Sequence, residues 1–293
     1  MIRLSIIVLN YNTKDLTKQC LQTLLAIYNK EFEKGEFELI MVDNDSLDGS
    51  FEEISKYLLS FPKNFHLHVL KNPKNFGFSK GCNQGAKNAK GEYILFVNSD
   101  TIVLGDGISS MIQFLETNPK IGILGGKLVD PNGKTTQSAS SFYTIPKLVE
   151  VLFLPKKNVS NETAARKIDW VEGSFLMVRK SLFDILKGFD EGFFMYMEDM
   201  DLCFRARKEK FDTYYYPNAV FEHTGQGSSN RSFAIIQIYK GLLYFYRKHK
   251  SKFELFILKT FLFLKASIAL VIGIVSGNSY LKKTYSEALS ILI

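Results

Sequence analysis

The sequence is poor in the residues that knit small or secreted proteins together. It holds 3 cysteines in 293 residues. Cys20, Cys82 and Cys203 are odd in number, far apart and without the close spacing of a zinc or redox site. That excludes a disulfide scaffold and makes a reducing compartment the expectation. Long apolar runs are scarce as well. Leu4–Leu9 ends at once in Asn10-Tyr11-Asn12, too short and wrongly flanked for a signal peptide, so it reads as a first buried strand. Between Phe253 and Ser276, Lys259 and Lys265 interrupt the apolar stretch. Its longest clean run, Ala266–Val275, falls short of the ~20 residues that cross a bilayer, so a spanning helix is not expected. The turn after the first strand lacks the closely spaced glycines of a dinucleotide-binding dehydrogenase and the glycine-rich basic loop of a sugar nucleotidyltransferase. Repeats and low-complexity tracts are missing too.

What is present is a globular composition, 46% hydrophobic and 23% charged, with 25 Phe and 14 Tyr for a deep core or for flat sugar-contacting surfaces. The net charge of +7 favours anionic partners. It is uneven: Tyr246 to Lys252 reads YRKHKSK, directly before the apolar C-terminal stretch.

The first half alternates β-branched runs with helical stretches, the pattern of an open, mostly parallel α/β sheet with helices on both faces. Strands are predicted at Leu4–Leu9, Glu38–Val42, Leu67–Lys71 and Tyr93–Val97, and helices at Lys14–Tyr28, Ser50–Leu59, Ser79–Ala89 and Gly107–Thr117. Ligands of such sheets bind beyond the carboxyl ends of the strands. Those ends carry Asn10 to Asn12, Asp43 to Asp48, Asn72 to Phe78 and Asn98 to Asp100. Further on come a strand at Ile121–Gly126, a turn at Asp130-Pro131-Asn132-Gly133, and an irregular, substrate-shaped stretch from Ser138 to Ala165. A strand-like run at Asp169–Arg179, broken by Gly173, then leads into a helix at Lys180–Lys187.

Four constellations carry chemistry. Asn98-Ser99-Asp100 sets a carboxylate at the exposed end of a hydrophobic strand, where a hard divalent cation needs oxygen ligands; the same residues would also serve as a turn or helix cap. Glu198-Asp199-x-Asp201 crowds three carboxylates ahead of the helical pattern Leu202–Lys208. They cap that helix favourably, and their mutual repulsion raises at least one pKa toward that of a general base. His223 stands beside a glycine-rich segment, Gly225-Gln226-Gly227-Ser228, which reads as a loop folding over a ligand. Gly77, Gly81 and Gly85 stack on one helix face, so that helix lies close on the sheet while its N-terminus, at Ser79 and Lys80, faces anionic ligands.

Taken as a set, these strings resemble the inverting family 2 glycosyltransferases of GT-A fold, in the rhamnosyltransferase-like branch, over roughly residues 3 to 247. The strings are Ser5-Ile6-Ile7-Val8-x-Asn10-Tyr11-Asn12, Val42-Asp43-Asn44-x-Ser46-x-Asp48-Gly49-Ser50, Asn75-x-Gly77-Phe78 with Gly81 and Asn83, and Asn98-x-Asp100. They continue in Gly173-Ser174-Phe175, Gly188-Phe189-Asp190-Glu191-x-Phe193-Phe194 and Glu198-Asp199-x-Asp201-Leu202. The resemblance implies a nucleotide pocket from Asn10, Asn12, Asp43, Gly77, Lys80, Asn83, Asn98 and Ser99. It further implies Mg or Mn on Asp100 and His223, Glu198 or Asp199 as the base, and Trp170, Glu172 and Gly173 toward the acceptor. The family's usual Asp-x-Asp is Asn98-x-Asp100 here, and Glu172 stands where the branch has a small residue.

The expected partners are a nucleotide-sugar donor and a glycan or polyprenol-linked acceptor at the inner face of the cell membrane, in cell-surface polysaccharide synthesis, with no nucleic acid. The alternative is a non-catalytic sugar-nucleotide or glycan-binding subunit of the same fold. The expected division is a catalytic domain at 1–247, with a nucleotide-binding half to about 105 and an acceptor half from 106, followed by a basic and apolar helical segment at 248–293. That segment either contacts the membrane peripherally, packs on the domain, or forms a homodimer.

Overall fold

The computed structural model describes residues 1–154, 162–225 and 230–292. Part of the irregular stretch, 155–161, and the distal part of the loop after His223, 226–229, lie outside the described residues.

Four strands build the parallel half of the main sheet: β1 (Leu4–Asn10), β2 (Phe37–Asp43), β3 (Leu67–Lys71) and β4 (Tyr93–Asn98). Their spatial order is β3-β2-β1-β4, every pairing parallel, with Leu4 opposite Phe37 and Tyr93. The central strands are buried on both faces, which is why they read as continuous apolar runs rather than as alternating ones. Helices α1 (Lys14–Ile27), α2 (Asn29–Glu33), α3 (Ser50–Leu59) and α4 (Gly77–Ala86) make the crossovers.

After β4 the chain makes a short strand, β5 (Thr101–Val103), helix α5 (Gly107–Thr117) and the long strand β6 (Ile121–Val129). The turn at Asp130–Gly133 forms as predicted: Gly133 has φ 76°, and the amides of Asn132 and Lys134 donate to Asp130 Oδ1 at 2.9 Å. The two-residue strand β7 (Ala139–Ser140) follows.

The stretch Ser138–Ala165 is less irregular than its sequence implies. It contains helix α6 (Ile145–Phe153), started by Thr144, whose hydroxyl accepts the amide of Lys147, and by a proline in the first turn. Three strands follow, β8 (Arg166–Ile168), β9 (Trp170–Val171) and β10 (Phe175–Arg179), then helices α7 (Lys180–Ile185) and α8 (Glu198–Lys208) and strand β11 (Asp212–His223). β10 inserts antiparallel between β4 and β6, and β11 runs parallel to β6 and antiparallel to β5 and β8, completing the order β3-β2-β1-β4-β10-β6-β11-β5. Around Pro217 the register of β11 jumps from Tyr216 opposite Gly126 to Val220 opposite Lys127, a bulge at the place where proline withholds its donor.

The chain closes with α9 (Arg231–His249), α10 (Lys252–Val275) and α11 (Ser279–Ser290). Two compact units result. One takes in Met1–Ser140, Val159–Glu191 and Asp199–Ser228; the other takes in Ser141–Asn158, Gly192–Glu198 and Ser229–Ile293. The second unit is thus wider than the segment 248–293 that composition marks off. α10 is one continuous helix. Lys259 and Lys265 do not break it, because lysine is a good helix former, and its 24 residues are long and apolar enough, by length and composition, to cross a membrane.

Candidate functional site

The polar ends of β1 and β2 are turned on each other. Asn10 Nδ2 lies within 2.9 Å of Asp43 Oδ2, Ser46 Oγ and Ser50 Oγ, and Asn10 Oδ1 accepts the hydroxyls of Thr13 and Thr17. Asp43 Oδ1 accepts the amide of Ser46. Asn10 and Asp43 are both 0% exposed and brace the loop after β2. Ser99, nearly as buried, joins the same network, its hydroxyl lying 2.9 Å from that of Thr13. Asn12 is exposed on the rim, its Oδ1 accepting the amide of Leu47 and its backbone at φ 53°, a conformation asparagine tolerates.

Sequence reasoning passed over a second clamp, made of Asn44, Asn72 and Asn75. Asn44 Nδ2 donates to Asn75 Oδ1 and Gly77 O, and Asn44 Oδ1 accepts Asn72 Nδ2 and the amide of Phe76. It ties the ends of β2 and β3 to the start of α4. The available signal was three asparagines at or just after strand ends.

Helix α4 lies close on β1 and β2, as its small-residue face requires. A Cβ at Gly85 would stand 2.8 Å from Ile7 Cγ2 and 3.1 Å from Val42 Cγ2. Lys80 reaches Glu191 at 3.5 Å and covers the ring of Phe76. Asn83 uses both ends of its amide on the backbone of one residue: its Nδ2 donates to Phe189 O at 2.8 Å and its Oδ1 accepts Phe189 N at 2.9 Å. The Phe189 ring packs among Phe78, Phe96 and Phe183. Asn83 therefore holds the Gly188–Glu191 loop in place.

Beyond β4 the strand register creates a pair. The antiparallel match of β5 with β11 sets His223 opposite Thr101, and the amide of Thr224 donates to Asp100 O at 3.1 Å. His223 Nε2 then stands 3.1 Å from Asp100 Oδ1, with Asp100 almost buried. Burial works against the imidazolium, but the carboxylate of Asp100, with a smaller contribution from Glu172, outweighs it and holds the histidine above its ordinary pKa. The pair fits a divalent cation, because two neighbouring ligands of an octahedral ion, each about 2.1 Å away, stand about 3 Å apart. Among the described residues no group of three or more His, Cys, Asp or Glu side chains converges for a metal.

The segment Glu172–Ser174 links this pair to the acidic helix start. Ser174 O accepts the amide of Asn98 at 3.0 Å, on the strand leading to Asp100. The amide of Gly173 donates to Asp199 Oδ2 at 3.0 Å, and the amide of Met200 donates to Asp199 Oδ1 at 2.7 Å. Burial pushes the Asp199 carboxyl up to about 6 against the pull of these amides. Part of its surface stays open to solvent. Glu198 is buried at the first position of α8. The third carboxylate, Asp201, is spent on structure: it accepts Arg205 Nε at 2.6 Å, and the same guanidinium holds the carbonyls of Leu186 and Gly188.

Trp170 and Glu172, expected toward the acceptor, have these surroundings. Trp170 is buried on β9, opposite Ser140, while Glu172 exerts its charge on His223. Just before the acidic pair, Tyr196 and Met197 have φ 67° and 73°. Two consecutive non-glycine residues in the left-handed region store strain of about 1–3 kcal/mol each, a hallmark of functional turns that the sequence did not show.

Comparison with known proteins gives the family and the fold. The description "Glycosyl transferase family 2" matches residues 5–196. An N-acetylglucosaminyl-diphospho-decaprenol L-rhamnosyltransferase of Mycobacterium tuberculosis is 27% identical over 218 residues, 66% of this chain and 68% of that protein. Rhamnosyltransferase WbbL of Escherichia coli is 31% identical over 154 residues, 50% of this chain and 56% of that one. Among solved structures, S. aureus TarS 1-349 in complex with UDP-GlcNAc superposes with a TM-score of 0.62 at 18% identity, covering 99% of this chain and 80% of that one. The mannosyltransferase PcManGT from Pyrobaculum calidifontis, in complex with GDP-Man and Mn2+, gives 0.60 at 16% identity, covering 99% and 85%. The chain belongs to glycosyl transferase family 2 and is a glycosyltransferase of GT-A fold.

Proposed function

We propose that this enzyme moves a hexosyl group, rhamnose being the favoured sugar, from a nucleoside-diphosphate donor to a glycan or polyprenol-linked acceptor, at the inner face of the cell membrane, in cell-surface polysaccharide synthesis. The observation that carries the reading is the short span Glu172–Ser174, which hydrogen-bonds Asp199 through one residue and the strand leading to Asp100 through the next. A base and a cation-binding pair are thereby braced by the same peptide. The rhamnosyl assignment is supported by the two rhamnosyltransferase relatives.

Asp100 and His223 are the residues that would hold Mg or Mn. Such an ion, when bound, offsets the negative charge of the donor diphosphate. Asp199 accepts the proton of the acceptor hydroxyl as its oxygen bonds to the anomeric carbon and the bond to the diphosphate breaks on the opposite face, so the configuration inverts. The Gly173 and Met200 amides, one on each oxygen, hold the Asp199 carboxylate in a fixed orientation. We favour Asp199 over Glu198 as the base because its pKa is moved toward neutrality.

The test is thermal stabilisation by a panel of nucleoside diphosphates and nucleotide sugars, with and without Mg or Mn. One nucleotide stabilising only with metal, and failing to do so in Asp100→Ala, is the expected result. No stabilisation by any of them would favour the non-catalytic reading.

A further inference from the structure

Helix α10 has two unlike sides. Leu258, Leu262, Ala266 and Gly273 form its buried stripe, where α6, α9 and α11 pack. Opposite that stripe Phe253, Phe256, Phe263, Ile268, Val271 and Val275 stand between 49% and 83% exposed. At 3.6 residues per turn this exposed face covers about half the circumference. Lys259 and Lys265 fall on its two borders, one on each side; the Lys259 Nζ also donates to Leu292 O. From Arg247 onward eight Lys and Arg face two Glu, so +6 of the chain's +7 resides in the last 47 residues.

Length and composition alone would let α10 span a bilayer, but its surroundings decide against it. Its other half is packed against α9 and α11, and α11 exposes Lys282, Lys283 and Glu287. Drawing those charges to mid-membrane costs several kcal/mol each. An apolar half-face with cations at both borders instead satisfies the interfacial zone, where long lysine stems run along apolar surface to the head groups.

From this we infer that α10 lies flat in the surface of an anionic bilayer, its Phe253–Val275 face buried to headgroup depth and held by the surrounding lysines and arginine. The inference deepens the membrane-side reading above, on which it rests.

The experiment uses the full chain with phosphatidylcholine vesicles, with and without phosphatidylglycerol. Three variants place a tryptophan at Phe256, Phe263 or Val271, each probed with acyl chains brominated at shallow or deep positions. Flotation with anionic vesicles only is expected, weakened about 30-fold in Lys252→Gln/Lys283→Gln, with all three tryptophans quenched most by shallow bromine. A tryptophan at 263 quenched most by deep bromine, with the other two shallow, would establish a spanning helix and overturn the inference. Failure to float, with a dimer in solution, would overturn it in favour of a second copy covering the face. Ile268→Gln/Val271→Gln is expected to stop flotation while keeping donor hydrolysis. Because hydrolysis is read separately, flotation without hydrolysis would count against the enzyme reading and leave the membrane surface standing.

Discussion

Asp199 keeps its place through two backbone amides and has its charge opposed by burial. As a base it works ionised, so kcat should climb about tenfold per pH unit below about 6 and level off above it. Asp199→Asn should lose roughly 10²- to 10⁴-fold in kcat with donor binding intact. An unchanged rate would return the role to Glu198. The stability consequence has the opposite slope. A folded pKa raised from 3.8 to about 6 means that the protonated group stabilises the fold at low pH, and that this contribution, on the order of 3 kcal/mol, is lost as the pH rises from about 4 through 6. Asp201 behaves differently. It is fully buried and paired with Arg205, and its removal strands a guanidinium, so Asp201→Ala should cost roughly 3–5 kcal/mol in urea unfolding. Both carboxylates were visible in sequence as one acidic cluster. Which was spent on structure was not, because that depends on an arginine four residues on and on carbonyls some 15 residues back.

Helix α4 shows where element-level reasoning succeeds. Its glycine spacing announced a close approach to the sheet, and the approach is there, against the β-branched side chains of Ile7 and Val42. Such side chains have little rotamer freedom, so Gly85→Ala should destabilise by about 1–3 kcal/mol, read as a lowered Tm with the helical content unchanged. The strands Leu4–Leu9, Glu38–Val42, Leu67–Lys71 and Tyr93–Val97 appear within two residues of expectation; the three buried ones, β1, β2 and β4, announce themselves as continuous apolar runs. Helix α6 was hidden inside an apparently irregular stretch although Thr144-Ile145-Pro146 is a helix start by the usual signs. The helical C-terminal segment expected from residue 248 onward is there as the end of α9, α10 and α11.

At the scale of the molecule, burial follows sheet position. β1, β2 and β4 have partners on both sides, while β3 has one neighbour and an incompletely buried surface. Hydrogen exchange should accordingly be slowest across Leu4–Leu9, Leu39–Val42 and Ile94–Val97 and faster by orders of magnitude in Leu67–Lys71; equal protection would mean the sheet opens as one body. The parallel half of this order follows from the alternating pattern. The insertion of β10 between β4 and β6 does not, since it pairs residues about 80 positions apart, and the whole meeting of Asp100 with His223 depends on it and on β11.

The bulge at Pro217 gives that meeting an arithmetic character. Side chains alternate along β11, so whether His223 faces Asp100 is a matter of odd or even count from the bulge onward. Substitutions within Asn218–Glu222 keep the count, but losing one residue there reverses it and carries the imidazole to the other face of the sheet. Along this strand the reading that matters is the number of residues, and the enzyme should forgive a changed letter there far more readily than a missing one.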